Sequence, residues 1–247
     1  MKLGSVLSWL VLLSIIISSR TLRAESPPKS ANELIARNYQ ARGGYKAIKA
    51  IRSLRMIGTL EDSGQKMQFR VEKMRPNFLR VTWTMNGMSG GEGYDDASWE
   101  LASNGKVTRT QGTPSNATRH AAEFDDFFVD YMERKIQVRF LGMQRLDRQD
   151  LYGLQATLPD GFSKCFYFDP ITFLVVATRV QAPVHARGPD RDLVAFAEDY
   201  RRVQNVLFPF SGKEEDLKSG KVMSRSQWDR IEVNAHFDPS YFLPPAQ

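Results

Sequence analysis

Hydrophobic positions change period along this chain, and the changes mark out its elements. Residues 31 to 42, ANELIARNYQAR, place Leu34, Ile35, Asn38 and Tyr39 near one face, the spacing of an amphipathic helix. Ser30 or Asn32 supplies its N-cap and Gly43-Gly44 its stop. A second short helix over 45–51 brings Ile48 and Ile51 together at i, i+3. From about Ser53 the period falls to two. Met67, Phe69 and Val71 alternate with Gln68, Arg70 and Glu72, and Leu79, Val81, Trp83 and Met85 alternate with Arg80, Thr82 and Thr84. Alternation of this kind predicts strands with one face toward an apolar interior and the other toward water.

Turn signals separate these runs: Asp62-Ser63-Gly64, Arg75-Pro76-Asn77, Asn86-Gly87, Ser103-Asn104-Gly105, Pro159-Asp160-Gly161 and Asp169-Pro170. Further strands are expected over 136–141, 152–158, 162–168, 173–180, 192–203, 206–210 and 222–234. Such spacing suits an antiparallel meander, because no segment offers the helical crossovers that a parallel sheet needs. One interruption, HAAEFDDFFVDYM at 120–132, carries Phe124, Phe127, Phe128 and Tyr131 at i, i+3, i+4, i+7. We expect a helix there, its aromatic stripe against an apolar surface and Asp125, Asp126 and Asp130 on its wet face.

The first 24 residues stand apart. A basic start at Lys2, an apolar run from Val6 to Ile17 and a polar stretch ending at Ala24 read as an export signal cut after Ala24. A cut nearer Ser19 and an uncleaved anchor are the alternatives. The whole chain has 247 residues and a formal charge of +6. Without the signal and its Lys2, Arg20 and Arg23 there remain 223 residues at +3. The remaining bases are interspersed, with only the pairs Arg134/Lys135 and Arg201/Arg202, so no nucleic-acid partner is expected. A single cysteine, Cys165, excludes an internal disulfide, and no cysteine follows the cut to accept a lipid. Residues 25–247 contain no linker or repeat and are taken as one domain, with monomer as the expected state.

Candidate chemistry is sparse. The stretch Gly87 to Gly93 lacks the Lys-Ser/Thr of a phosphate loop and reads as a flexible hairpin connection. His120, His185 and His236 lie far apart without metal-ligand spacing, Ser211 lacks a nucleophile elbow, and Cys165 reads as a small structural side chain. No catalytic residue, metal or cofactor is therefore assigned. By contrast, 15 Phe, 9 Met and 4 Trp make a large, adaptable apolar surface. Met67, Phe69, Trp83, Met85, Met88, Phe127, Phe128 and Met132 are candidates to line a cavity, with an ordinary core as the alternative.

Several segments resemble the LolA-like outer-membrane lipoprotein-sorting proteins: LIARNYQARGGYKAIKAIRSLRMIGTL at 34–60, GYDDASWE at 93–100, LYGLQATLPDGFSKCFYFDPITFLV at 151–175 and RIEVNAHFDPSYFLP at 230–244. The resemblance implies a mainly β fold of the α+β type, an incomplete antiparallel β-barrel whose helices plug the concave face. It also implies a periplasmic carrier that binds lipoprotein acyl chains or another lipid and works between inner- and outer-membrane transfer proteins. On that view Phe69, Val71, Val81, Trp83, Met85, Phe124, Phe127, Phe128 and Tyr131 line the cavity. The aromatic helix then serves as a lid, with Arg55, Arg70 or Arg80 as the strand arginine that latches it. An envelope module that binds a protein without transferring lipid is the alternative function, and a lipid-modifying enzyme the third.

Overall fold

The computed structural model describes residues 26–183 and 190–246, so the expected signal over 1–24 and His185 lie outside the described residues. Three helices, α1 (Ala31–Arg42), α2 (Tyr45–Lys49) and α3 (Thr113–Ala122), accompany thirteen strands. These are β1 (Ser53–Asp62), β2 (Gln65–Met74), β3 (Phe78–Met85), β4 (Met88–Tyr94), β5 (Ser98–Leu101), β6 (Val107–Arg109), β7 (Gln137–Leu146), β8 (Gln149–Thr157), β9 (Ser163–Phe168), β10 (Val175–Pro183), β11 (Asp190–Val203), β12 (Val206–Asp216) and β13 (Lys221–Val233).

All thirteen form one antiparallel sheet in the order β6-β5-β4-β3-β2-β1-β13-β12-β11-β10-β9-β8-β7. Strands consecutive in the chain pair except β6 with β7, β1 pairs with β13, and β6 and β7 form the two edges, each paired on one side. The two sheet edges are thus consecutive in the chain, joined by residues 110–136. Helix α1 touches both β12 and β7. Those strands are five ladder steps apart, about 24 Å in a flat sheet, whereas a helix is about 10 Å across, so the sheet must curl around it. Register shifts at Ile57/Gly58, Phe140/Gly142, Val175/Ala177 and Glu214/Glu215 supply local bends. The expected incomplete barrel is the fold observed.

Helix α1 begins as expected, with the Ser30 hydroxyl accepting from the Glu33 N–H at 3.2 Å, and buries Leu34, Ile35 and Asn38. It ends at Gly43, whose φ of 120° favours glycine and where a Cβ would lie 1.9 Å from the Asn205 carbonyl. The helix can therefore lie on the β11–β12 turn only with glycine at this position.

The aromatic segment differs from expectation. Helix α3 ends at Ala122, and 123–135 runs through successive turns rather than a helix over 120–132. Its aspartates do not form a wet face. Asp126 accepts the N–H groups of Phe128 (2.9 Å) and Val129 (3.2 Å) and pairs with Arg42, Asp125 pairs with Arg75, and Asp130 takes Lys49 and the Tyr45 hydroxyl. Local hydrogen bonding by Asp side chains competes with the helix ladder, and here it prevails. The result places two adjacent residues in two cores. Phe128 (2% exposed) joins Leu34, Ile35, Leu154, Phe166 and Phe168, while Val129 (0%) joins Ile48, Val206, Phe208, Phe210 and Ile231.

Burial raises the Asp126 carboxyl, but the Arg42 guanidinium and the two N–H groups outweigh it and hold it below its usual range. Asp126→Ala should cost about 2–3 kcal/mol in denaturant unfolding, below the 3–5 of a fully buried pair because 31% of the Asp126 side chain stays accessible. Phe128→Ala should cost about 3–5 kcal/mol. Near-neutral values for both would detach this segment from the core.

Candidate functional site

Two tight turns set the register of the site. Ser63 and Gly64 (φ 50° and 82°) and Asn86 and Gly87 (50° and 77°) take the left-handed angles of two-residue hairpin turns. They place Asp62 against Gln65 and Met85 against Met88, and every cross-strand pair follows. On the concave face one row runs Met56, Val71, Val81, Glu92, Glu100, Thr108, and the next runs Gly58, Phe69, Trp83, Gly90. Nearer the turns, Leu60 lies beside Met67 and Met85 beside Met88.

The segment expected to be a flexible connection, Gly87 to Gly93, is mostly strand β4, and its glycines serve packing. A Cβ at Gly90 would sit 2.4 Å from the Trp83 ring, and one at Gly93 would sit 2.3 Å from the Trp99 ring. Each indole lies over a strand backbone left bare for it, Trp83 on the concave face and Trp99 on the convex face.

Helices and crossover fill only part of the concave face. Ala122 of α3 packs on Leu79 and Tyr94, with Val71 and Val81 alongside. Toward the hairpin turns the face opens into a groove of about 690 Å³. Leu60, Met67, Phe69, Val81, Trp83 and Met85 form its apolar part. Glu92, Glu100, Lys106 and Thr108 line the β4–β6 end, and Asp62, Glu214 and Ser224 the other side. Phe69 stacks on Trp228 with ring centroids 5.7 Å apart, which ties the groove floor to the core around α2. Burial, then the neighbouring Glu100 charge, raises the Glu92 carboxyl.

The nine residues expected to share one cavity divide between four places. Phe69, Val81, Trp83 and Met85 line the groove. Val71 packs beneath α3. Phe127, Phe128 and Tyr131 belong to the core around α1, and Phe124 to that around α2, with Arg75 4.7 Å from its ring centre. Met67, Leu60 and Trp228 join the site, the last two unforeseen. Trp228 stands in the alternating run of β13, and that alternation was the signal for it.

None of the three candidate latch arginines faces the interior. Arg55, Arg70 and Arg80 alternate onto the convex face of their strands. There Arg55 reaches Glu72 at 2.8 Å, and Arg80 reaches the Tyr241 carbonyl at 2.6 Å beneath the C-terminal turn. Residues 123–135 are held instead by Arg42, Lys49, Lys73 and Arg75. Of the histidines, His120 stacks on Phe162 at 4.0 Å and meets Asp160 at 2.8 Å, and His236 is exposed. Cys165 is half-buried, its thiol pushed up chiefly by burial. Among the described residues no group of three or more His, Cys, Asp or Glu could hold a metal ion, and no helix is long and apolar enough to cross a membrane.

Lys73 donates to the Glu123 carbonyl; burial and then the nearby Lys164 charge pull it from 10.5 to about 8, against the opposing carboxylates Glu123, Asp125 and Asp126. Its folded pKa lies below the unfolded one, so the folded chain binds fewer protons between these values and stability should rise as pH climbs through that window. Lys73→Met should remove that rise in urea titrations at pH 7.5 and 10. An unchanged slope would mean Lys73 is as solvated folded as unfolded.

No family model and no curated protein sequence matches the chain. Solved structures do. A DUF1329 family protein from Desulfovibrio piger ATCC 29098 superposes with TM-score 0.55 at 12% identity, over 83% of this chain and 95% of that one. A domain described as an outer membrane lipoprotein-sorting protein domain from Vibrio parahaemolyticus gives 0.54 at 10%, over 85% and 94%. A LolA superfamily protein from Nitrosomonas europaea gives 0.54 at 13%, over 87% and 98%. The chain thus has the LolA-like fold, an antiparallel sheet curled into an incomplete barrel around its own helices and crossover.

Proposed function

We propose that this protein is a carrier in the cell envelope that binds the acyl chains of a lipid or lipoprotein in the open groove. The observation that carries the reading is the groove itself. About 690 Å³ of the concave face is left unfilled by the helices and floored by Leu60, Met67, Phe69, Val81, Trp83 and Met85. Its size lies within the roughly 300–1,000 Å³ of small-molecule sites. An open apolar floor costs solvation unless an apolar ligand covers it, at about 0.8 kcal/mol per CH₂. Unbranched Met side chains at Met67 and Met85 repack around chains of different shape. Binding by apolar contact needs neither a catalytic residue nor a cofactor.

The names of the Vibrio and Nitrosomonas structures support outer-membrane lipoprotein sorting as the setting, and the export signal read over 1–24 supports a periplasmic location. Lipoprotein acyl chains, received and passed on through membrane transfer proteins by a monomeric carrier, are the cargo and partners of this reading.

Purified protein should carry co-extracted lipid visible by mass spectrometry and should enhance the fluorescence of N-phenyl-1-naphthylamine. Gly90→Leu drives a side chain into the space of the Trp83 ring. It should weaken probe binding by about tenfold, the equivalent of losing roughly two buried methylenes. Ile171→Ala, in the exposed turn before β10, should change nothing. No probe binding by the unaltered protein would end the carrier reading.

A further inference from the structure

The groove is polarised across the strands. Most of its apolar side chains come from β1 to β3, while β4 and β5 contribute two carboxylates, Glu92 and Glu100, directly opposite each other in the antiparallel register. Like charges so placed repel unless something lies between or above them. Glu92 is also directly across from Val81 and diagonal to Trp83 on the same face. Because Gly90 carries no side chain, the Trp83 ring lies over its backbone, two residues from Glu92 on the same strand face. A carboxylate next to an aromatic face is the pairing that receives a cation.

The charges around it agree. Lys106, across from Ala102 and diagonal to Glu100, is the single base among the lining residues and leaves this end of the groove at one net negative charge. On the far side Asp62 and Glu214 add two carboxylates, with Lys164 near Glu214, so the lining is acidic overall, and the Trp83 face stands at its Glu92 end. Other rings are already covered by cations of the chain: Arg80 over Trp99, Arg75 over Phe124, Arg201 over Phe210 and Lys213 over Phe196. Among the described residues no Arg or Lys lies over Trp83, and no hydrogen bond or ion pair reaches Glu92.

We propose that the groove selects amphiphiles with a cationic head, the alkyl chain on Phe69, Met67 and Met85 and the head between the Trp83 face and the Glu92–Glu100 pair. This rests on reading the groove as an acyl-chain site and adds the class of head it takes. Neutral and anionic heads gain nothing at this end: the first leaves the carboxylates facing each other, and the second adds a third negative group.

Displacement of N-phenyl-1-naphthylamine from the full chain by decyltrimethylammonium, decyl maltoside and decyl sulfate, all below their micelle concentrations, tests this. The ammonium amphiphile should displace the probe at a concentration roughly tenfold below that of the sulfate, with the maltoside between. High salt should narrow the gap. Glu92→Gln with Glu100→Gln should reduce the gap between the ammonium and the sulfate to about twofold or less. Equal potency of the three heads, stronger displacement by the sulfate, or a preference that survives both Gln substitutions would overturn the head-group assignment and leave the groove as an acyl site. Failure of the probe and of every amphiphile to bind would overturn the acyl site itself.

Discussion

Asp126 organises the interior of this protein. A thirteen-stranded meander whose two edge strands are joined by one crossover carries that crossover across the concave face. An irregular backbone on that route needs partners for its polar groups. Asp126 meets the need locally by accepting two backbone N–H groups, and globally by pairing with Arg42 at the end of α1. Once that turn is set, Phe128 and Val129 point into different cores, and the two halves of the sheet close on one dipeptide.

The same crossover fixes the limit of the filled interior. Residues 123–135 and α3 cover the concave face as far as Leu79, Tyr94 and Val71, and no further. What remains open is determined by strand length beyond this plug. The groove is therefore the part of a long sheet that a short crossover cannot reach, and its floor is built from the ordinary inward positions of β1 to β3. Gly90 then decides how the floor looks, because it lets the Trp83 ring lie down rather than stand into the space.

Much of the local structure was legible in the chain. Alternation over 78–85 marked β3, and Ser30 and Gly43 marked the ends of α1. The groove residues Phe69, Val81, Trp83 and Met85 were found the same way, since period two assigns a face without knowing what covers it. The aromatic segment misled for an equally physical reason. Phe124, Phe127, Phe128 and Tyr131 have helical spacing, but spacing carries no information on Arg42, Lys49 and Arg75, which come from elsewhere in the chain and draw Asp125, Asp126 and Asp130 inward. Glycines in β4 misled as well, because glycine in a strand is explained only by the ring that lies on it.

By itself the sequence determined the antiparallel meander, the helical start and the inward faces of β2 and β3, because turn chemistry and side-chain alternation act over a few residues. Tertiary structure alone decided which inward residues are core and which are groove. That division depends on how far the 110–136 crossover extends over a sheet whose curvature brings β7 to the same helix as β12. It also placed Arg55 on the convex face against Glu72, while Arg70 and Arg80 lie on the polar face that their alternation assigned, away from the segment that the resemblance implied one of them would hold.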